Sequence, residues 1–132
     1  MPIISTMNMF LVEDSVPIRQ RLVEVIEADG AHMVVGEADN YADAVSGIAG
    51  RHPDVAIFDI KLASGSGIQA LAEARRRQPL LLGIVMSNYA TPQYMKASAE
   101  AGAAYFLDKS SDFQQIPQIL CALAVKQAKE CT

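Results

Sequence analysis

Hydrophobic residues along this chain follow two different periods. Five short apolar runs predict β-strands, because runs of this length between turn-forming residues are typical of a buried sheet; they lie at residues 7–12, 32–38, 54–60, 80–86 and 104–107. The run at 54–60 is nearly continuous in apolar residues, which is typical of a strand covered on both faces of a parallel sheet. Between these runs the apolar residues recur at helical spacing.

Start and stop signals support helices in the segments between the strands. Good N-capping residues, one of them followed by proline, are Ser15, Asn40 and Thr91-Pro92. Residues that end a helix are Asp29-Gly30, Gly50, Pro53, Pro79 and Gly102. The apolar stripes predicted for the first, second and last helices are Ile18, Leu22, Val25 and Ile26; Ala42, Val45, Ile48 and Ala49; and Ile116, Ile119, Leu120 and Leu123. Pro117 indicates that the last helix becomes regular only just before Ile116.

The repeated strand–helix order predicts an α/β fold of the (βα)5 type. Strands separated by helices of this length form a doubly wound five-stranded parallel sheet, with right-handed crossovers and helices on both faces. A chain of 132 residues is the usual size of one compact domain, so we expect a single domain over residues 1–132. In such sheets the working site lies at the carboxyl ends of the strands.

Composition and charge narrow the range of functions. The net charge of -4 disfavours direct nucleic-acid binding, and the basic triplet at 75–77 is better explained as a solvated helix end. Cys121 and Cys131 lack metal-ligand spacing and suit free thiols in a reducing cytoplasm. The start of the chain does not resemble a signal peptide, and no apolar run reaches the ~20 residues of a membrane span. These features favour a soluble cytoplasmic protein without membrane contact.

Polar side chains collect where four of the predicted strands end. In chain order they are Glu13-Asp14, Asp59, Ser87 and Asp108-Lys109. Carboxylate oxygens are the ligands that Mg²⁺ prefers, and acids placed together without a cation would raise one another's pKa. The set therefore predicts a site for Mg²⁺ and phosphate. Taken singly, each acid is more often a helix cap or a solvated loop residue, so the prediction depends on their joint occurrence.

The same residues favour phosphoryl transfer. A carboxylate can act as a nucleophile and form an acyl phosphate, and the transfer then requires mainly positioning and charge neutralisation. Mg²⁺ and Lys109 would supply positive charge, while the Ser87 hydroxyl can donate a hydrogen bond to a phosphoryl oxygen.

From about residue 7 to residue 125 the chain resembles the receiver domains of bacterial two-component response regulators, which have a flavodoxin-like fold. Taken together, the matching segments are specific: Leu11-Val12-Glu13-Asp14-Ser15, Asp54-Val55-Ala56-Ile57-Phe58-Asp59, Gly67, Met86-Ser87 and Gly102-Ala103-Ala104-Tyr105-Phe106-Leu107-Asp108-Lys109. This resemblance implies one phosphorylation-driven receiver domain whose core covers about residues 7–125.

The resemblance also assigns roles to individual residues. It implies that Asp59 accepts the phosphoryl group and that Lys109 and Ser87 contact it. The Mg²⁺ ligands would be Glu13, Asp14, Asp59 and the main-chain carbonyl of Lys61. Phe106 matches the aromatic residue whose rotamer follows activation, with Tyr105 beside it as a second candidate. Core packing of the last strand is the alternative for both aromatics, and it is favoured for Tyr105.

Two positions depart from the family pattern. Receivers often have proline a few residues after the acceptor, where this chain has Ala63, and directly after the lysine, where it has Ser110. A cis bond before a non-proline residue costs ~3 kcal/mol, so the geometry of the Lys109–Ser110 bond is left open. These departures concern loop geometry rather than the chemistry.

The predicted function is a switch that receives its phosphoryl group from a histidine kinase or a phosphotransfer protein. Phosphorylation would change the partner preference of the face formed by the fourth helix, fifth strand and fifth helix, which could also form a homodimer. The output partner or output domain is not indicated, and we expect no enzyme activity beyond self-phosphorylation and dephosphorylation. One alternative is a pseudo-receiver that binds partners without phosphate. Another is a Mg²⁺-dependent phosphatase, which is disfavoured because Lys61 occupies the place of its second aspartate.

Overall fold

The computed structural model describes residues 6–28 and 30–130, with side chains described as far as residue 125. It confirms the (βα)5 order. The elements are β1 (Met7–Val12), α1 (Val16–Glu27), β2 (His32–Ala38), α2 (Tyr41–Arg51), β3 (Val55–Asp59), α3 (Gly67–Arg77), β4 (Leu82–Ser87), α4 (Pro92–Glu100), β5 (Ala103–Asp108), a short 3₁₀ helix (Phe113–Gln115) and α5 (Ile116–Glu130).

All five strands pair in parallel in the order β2-β1-β3-β4-β5. This is the doubly wound, flavodoxin-like arrangement that the strand–helix order predicts. Because the chain runs outward from β1 in one direction and from β3 in the other, the strand order reverses between these two central strands. Loops that leave the carboxyl ends of β1 and β3 therefore diverge, and they open a crevice at that edge.

The predicted N-caps are confirmed. The side chains of Ser15, Asn40 and Thr91 each accept a hydrogen bond from the backbone N–H three residues later, and Ser66 does the same for α3. These bonds satisfy donors that the first turn of a helix leaves unpaired. The predicted stop at Asp29 lies outside the described residues.

Two local predictions were wrong. The fourth strand begins at Leu82 rather than at residue 80, and Leu80 is 93% exposed in the turn that follows α3. In α2 the buried residues are Ala44, Val45 and Ile48, while Ala42 is exposed. Packing on the sheet sets how α2 is rotated about its own axis, and this rotation buries Ala44 instead of Ala42. The sequence does not indicate the rotation, because alanines lie on both sides of the predicted stripe.

A hydrophobic layer covers each face of the sheet. One layer packs α1 and α5 against β1, β3 and β4, with Met9, Ile57 and Leu120 among its buried members. The other packs α2 and α3 onto the opposite face around Phe10, Phe58 and Leu71. Strand β3 contributes to both layers and is buried throughout, as its continuous apolar run predicted. No helix in the described part of the chain is long and apolar enough to cross a lipid bilayer.

Candidate functional site

Four of the six polar residues predicted at the strand ends line one cleft. The cleft has a volume of about 270 Å³, and its walls come from the ends of β1, β3, β4 and β5 and the loops that follow them. Asp14, Asp59, Ser87 and Lys109 all line it. The convergence follows from parallel pairing, because parallel strands place their carboxyl ends at the same sheet edge.

Three carboxylates lie together at this edge of the sheet, and two of them line the cleft. One oxygen from each of Glu13, Asp14 and Asp59 lies within 4.8 Å of the others. Glu13 is 2% exposed and Asp59 is 9% exposed, whereas Asp14 is open to solvent. Burial raises the pKa of Glu13, and the neighbouring Asp59 carboxylate raises it further, against the opposing effect of Lys109. The folded chain therefore holds acids closer together than their own charges favour.

Lys109 is the positively charged group that contacts the acids. Its Nζ lies 2.5 Å from Oε1 of Glu13 and 3.1 Å from Oδ2 of Asp59, and only 8% of its side chain is exposed. Burial by itself lowers the pKa of Lys109, but the contacts with Glu13 and Asp59 outweigh it, so the net pKa is raised. The Lys109 backbone N–H also donates to the carbonyl of Ser87 at 3.0 Å. Lys109 thus remains charged and is held between two acids.

Gly67 brings the loop after β3 back onto Asp59. A Cβ at this position would lie 1.6 Å from the carbonyl oxygen of Asp59, and the Gly67 N–H donates to the carbonyl of Ile60 at 2.8 Å. Only glycine permits this approach, because any side chain would collide with backbone. The family resemblance singled out Gly67 without indicating this contact, which depends on the return path of the loop.

Ser87 lies at the end of β4, 2% exposed. Its Oγ accepts a hydrogen bond from the N–H of Tyr89 at 2.9 Å, which leaves its own O–H able to donate into the cleft. Sequence reasoning missed Tyr89, which lines the cleft with its ring 4.7 Å from Nζ of Lys61. A tyrosine two residues beyond a strand carries no signal by itself; only the folded loop shows the contact.

The predicted switch residues differ in burial. Phe106 is half-buried and packs against the layer that contains α3, with Tyr94 and Ala101 from the α4 region in the same layer. Tyr105 is 36% exposed on the opposite face of β5. Their opposite orientations follow from strand alternation.

Asp108 does not join the acidic cluster. Its Oδ1 accepts hydrogen bonds from the backbone and side chain of Ser110, at 2.8 and 2.6 Å, and these bonds lower its pKa. No peptide bond among the described residues is cis, including the one between Lys109 and Ser110.

The donor set fits a hard divalent cation. Three carboxylate oxygens in reach of one another, one of them open to solvent, match the few protein ligands plus water that Mg²⁺ prefers. The pKa of Glu13 is raised partly by its neighbour Asp59, and a cation among these oxygens would relieve that repulsion. A metal between them is thus chemically reasonable.

Residues 9–121 match the protein family described as the response regulator receiver domain. The chain belongs to this family. The DNA-binding transcriptional activator DevR/DosR of Mycobacterium tuberculosis is 33% identical over 102 residues, which cover 77% of this chain and 47% of that protein. A protein-glutamate methylesterase/protein-glutamine glutaminase of Pseudoalteromonas atlantica is 35% identical over 105 residues, covering 77% of this chain and 27% of that protein.

The solved structures give the same family and fold. The signal receiver domain of the response regulator NarL from Mycobacterium tuberculosis is 28% identical with a TM-score of 0.78, and the match covers 95% of this chain and 98% of that one. The chain spans about half or less of the length of the two curated relatives named above. Their matches therefore concern the receiver part of longer proteins.

Proposed function

We propose that this receiver domain accepts a phosphoryl group on Asp59 from a histidine kinase or a phosphotransfer protein, with Mg²⁺. The observation that carries the proposal is the placement of Asp59 at the end of a buried strand, 3.1 Å from Nζ of Lys109 and beside Glu13 and Asp14. A structural role alone does not explain a cluster in which burial, and then the neighbouring Asp59, raise the pKa of Glu13.

In the proposed reaction an Asp59 carboxylate oxygen attacks the phosphorus of a phosphohistidine. The new O–P bond forms as the N–P bond breaks, and the imidazole nitrogen keeps the electron pair and is then protonated. Asp59 is 9% exposed and opens only into the cleft, so the donor must approach along one direction. Positioning of this kind and neutralisation of charge are the main needs of phosphoryl transfer.

The proposed Mg²⁺ ligands are Glu13, Asp14, Asp59 and the main-chain carbonyl of Lys61. When bound, the cation would neutralise charge on the transferred phosphoryl oxygens. Lys109 already lies between Glu13 and Asp59, so it can move its contact from a carboxylate to a phosphoryl oxygen with little displacement.

The proposed switch runs from Ser87 to the face formed by α4, β5 and α5. The Ser87 hydroxyl would donate to the phosphoryl group, and the half-buried Phe106 would move inward behind it. Tyr105, at 36% exposure, would be part of the partner face. Phosphorylation would add charge at the carboxyl end of the sheet and shift the α4, β5 and α5 face between two conformations. A homodimer through this face and an unidentified output partner remain part of the proposal.

We further propose that the chain works as one receiver domain in the cytoplasm, with its core at about residues 7–125. Its only catalytic activity would be its own phosphorylation and dephosphorylation. Direct contact with nucleic acid is not part of the proposed role, because the net charge is -4.

The test is phosphorylation by acetyl phosphate in the presence of Mg²⁺, followed by intact-mass measurement. We expect one added phosphoryl group in the wild type and none in Asp59→Asn. Asp43→Asn, which removes a carboxylate from the first turn of α2, is the matched control and should be phosphorylated normally. Absence of an Asp59-dependent mass gain would favour the pseudo-receiver alternative, in which the domain binds partners without phosphate.

A further inference from the structure

The loop between β1 and α1 carries two of the three acids, and its main chain is held from both sides. The Glu13 N–H donates to the carbonyl of Ala38, at the end of β2, at 2.9 Å. The Glu13 carbonyl accepts from a guanidinium N–H of Arg19 at 2.8 Å. These two bonds fix the peptide groups before and after Glu13, and so they fix the direction in which its side chain and that of Asp14 leave the backbone.

Arg19 connects three parts of the fold. It lies in α1, where its backbone N–H donates to the carbonyl of Ser15 at 2.9 Å. Its Nε lies 3.6 Å from Oε1 of Glu37, near the end of β2. Its side chain is 21% exposed, so solvent screens these contacts less than it screens an ordinary surface pair.

We propose that Arg19 is a positioning residue for the Mg²⁺ site. It would hold the Glu13 carbonyl and the end of β2 together, so that Glu13 and Asp14 present their oxygens toward Asp59. This inference rests on the proposed function, because it concerns the same metal site. Among the described residues, Arg19 forms no hydrogen bond or ion pair with the side chain of Glu13, Asp14 or Asp59, so it would act through the backbone rather than as a ligand.

The sign of the effect separates positioning from simple electrostatics. Arg19 is a cation near an acidic site, and by Coulomb's law its removal would strengthen the binding of another cation. If its role is to orient the acids, its removal weakens Mg²⁺ binding instead, because the ligands lose their common geometry. The two accounts therefore predict opposite changes for the same substitution.

An arginine suits this position because its planar fork reaches two acceptors at once. One nitrogen bonds the Glu13 carbonyl and another faces Glu37. Lysine carries the same charge on a single ammonium group and does not reproduce the fork. Arg19→Lys should therefore keep the charge and lose part of the positioning.

The experiment titrates Mg²⁺ alone into metal-free protein by calorimetry. We expect Arg19→Gln to weaken Mg²⁺ binding about tenfold, at the low end of the range for residues that support metal ligands, and Arg19→Lys to weaken it less. Glu37→Gln should weaken it less than Arg19→Gln, because the bond to the Glu13 carbonyl remains. The control is Arg21→Gln, which removes the same charge from α1 but contacts the Phe113 ring at 4.4 Å. It should bind like the wild type.

A second measurement does not use metal. Amide hydrogen exchange of Glu13 in the metal-free protein should speed up in Arg19→Gln and stay unchanged in Arg21→Gln, because only the first loosens the loop. Unchanged or tighter Mg²⁺ binding in Arg19→Gln would overturn the proposal, as would equal weakening in Arg21→Gln. If the wild type bound no Mg²⁺, the proposed function would fail, and the exchange rates would still decide whether Arg19 holds the loop.

Discussion

The two ends of the central sheet differ in what their polar side chains face. At the amino end, Oδ2 of Asp54 accepts the backbone N–H of Asn8 at 2.8 Å, and Nδ1 of His32 accepts that of Met7 at 3.3 Å. There the polar side chains complete the hydrogen bonding of strand ends. At the carboxyl end, Glu13 and Asp59 face one another and share one lysine.

This difference distinguishes a stabilising polar group from a functional one. A side chain that pairs with backbone at a sheet end satisfies a donor that burial would otherwise leave unmet. Glu13 also accepts the backbone N–H of Ser15, at 3.4 Å, but its carboxylate faces Asp59 as well, and its raised pKa shows that the fold opposes its ionisation. The position of an acid at a strand end is therefore less informative than the group that it faces. Four substitutions test this contrast.

The largest effect is expected for Lys109→Met at the carboxyl end. Among the described residues, Lys109 is the cation that forms ion pairs with both Glu13 and Asp59, so its loss leaves two buried carboxylates without a positive partner. We expect the free energy of unfolding at pH 7 to fall by about 3 kcal/mol in metal-free buffer, the usual scale for breaking a buried pair. Urea unfolding measures it, with exposed Lys96→Met as the control. A loss no larger than that of the control would mean that the cluster does not depend on Lys109.

A smaller loss is expected for Asp54→Ala at the amino end. Asp54 accepts the N–H of Asn8, so its removal should lower the free energy of unfolding by about 1.5 kcal/mol, as for other hydrogen bonds to charged groups. Phosphorylation by acetyl phosphate should be unchanged, because the site lies at the other end of the sheet. Lost phosphorylation in a folded Asp54→Ala protein would contradict the division between the two ends.

Glu13→Gln should act in the opposite direction and stabilise the protein. The pKa of Glu13 is raised above its ordinary value of 4.5, so its contribution to stability is present at lower pH and is lost as the pH rises through the folded pKa. We expect a gain of about 1 kcal/mol at pH 7 in metal-free buffer, because the fold opposes the ionisation of Glu13 and Lys109 keeps its contact with Asp59.

The gain from Glu13→Gln should shrink as the pH falls and vanish well below the ordinary pKa of 4.5, where the wild-type carboxyl is protonated in both states. Urea unfolding at several pH values provides the measurement. Added Mg²⁺ should reverse the order by stabilising the wild type more than the variant. A gain that is constant across pH would show that ionisation of Glu13 is not its cause.

The smallest effect is expected on the surface, at Glu73. Contacts with Arg76 and Arg77 lower the pKa of Glu73 to about 2. Its contribution to stability is therefore present above its ordinary pKa and lost only as the pH falls toward 2. All three groups are in contact with solvent, and exposed pairs contribute little. Glu73→Gln should leave the urea midpoint at pH 7 within replicate error. A clear shift would show that the two ion pairs of Glu73 stabilise the fold more than exposed pairs normally do.

The sequence predicted most of the fold because its signals are local. Apolar runs and helical spacing indicate the elements, and Ser15, Asn40 and Thr91 cap helices through bonds only three residues long. The exposed Leu80 shows that such local signals do not predict the exact residue at which a strand begins. Within an apolar run, the residue at which pairing begins depends on the neighbouring strand, and the first β4 residue to pair with β3 is Leu82.

The identity of the site residues was also readable from the chain, since parallel strands bring their carboxyl ends to one edge. That rule was enough to predict that Glu13, Asp59 and Lys109 would meet. Only the tertiary structure decided how they meet. Two contacts depend on loop paths in three dimensions: the close approach of Gly67 to Asp59 and the hydrogen bond from Arg19 to the Glu13 carbonyl. The raised pKa of Glu13 likewise depends on burial by elements distant in sequence, which no local pattern encodes.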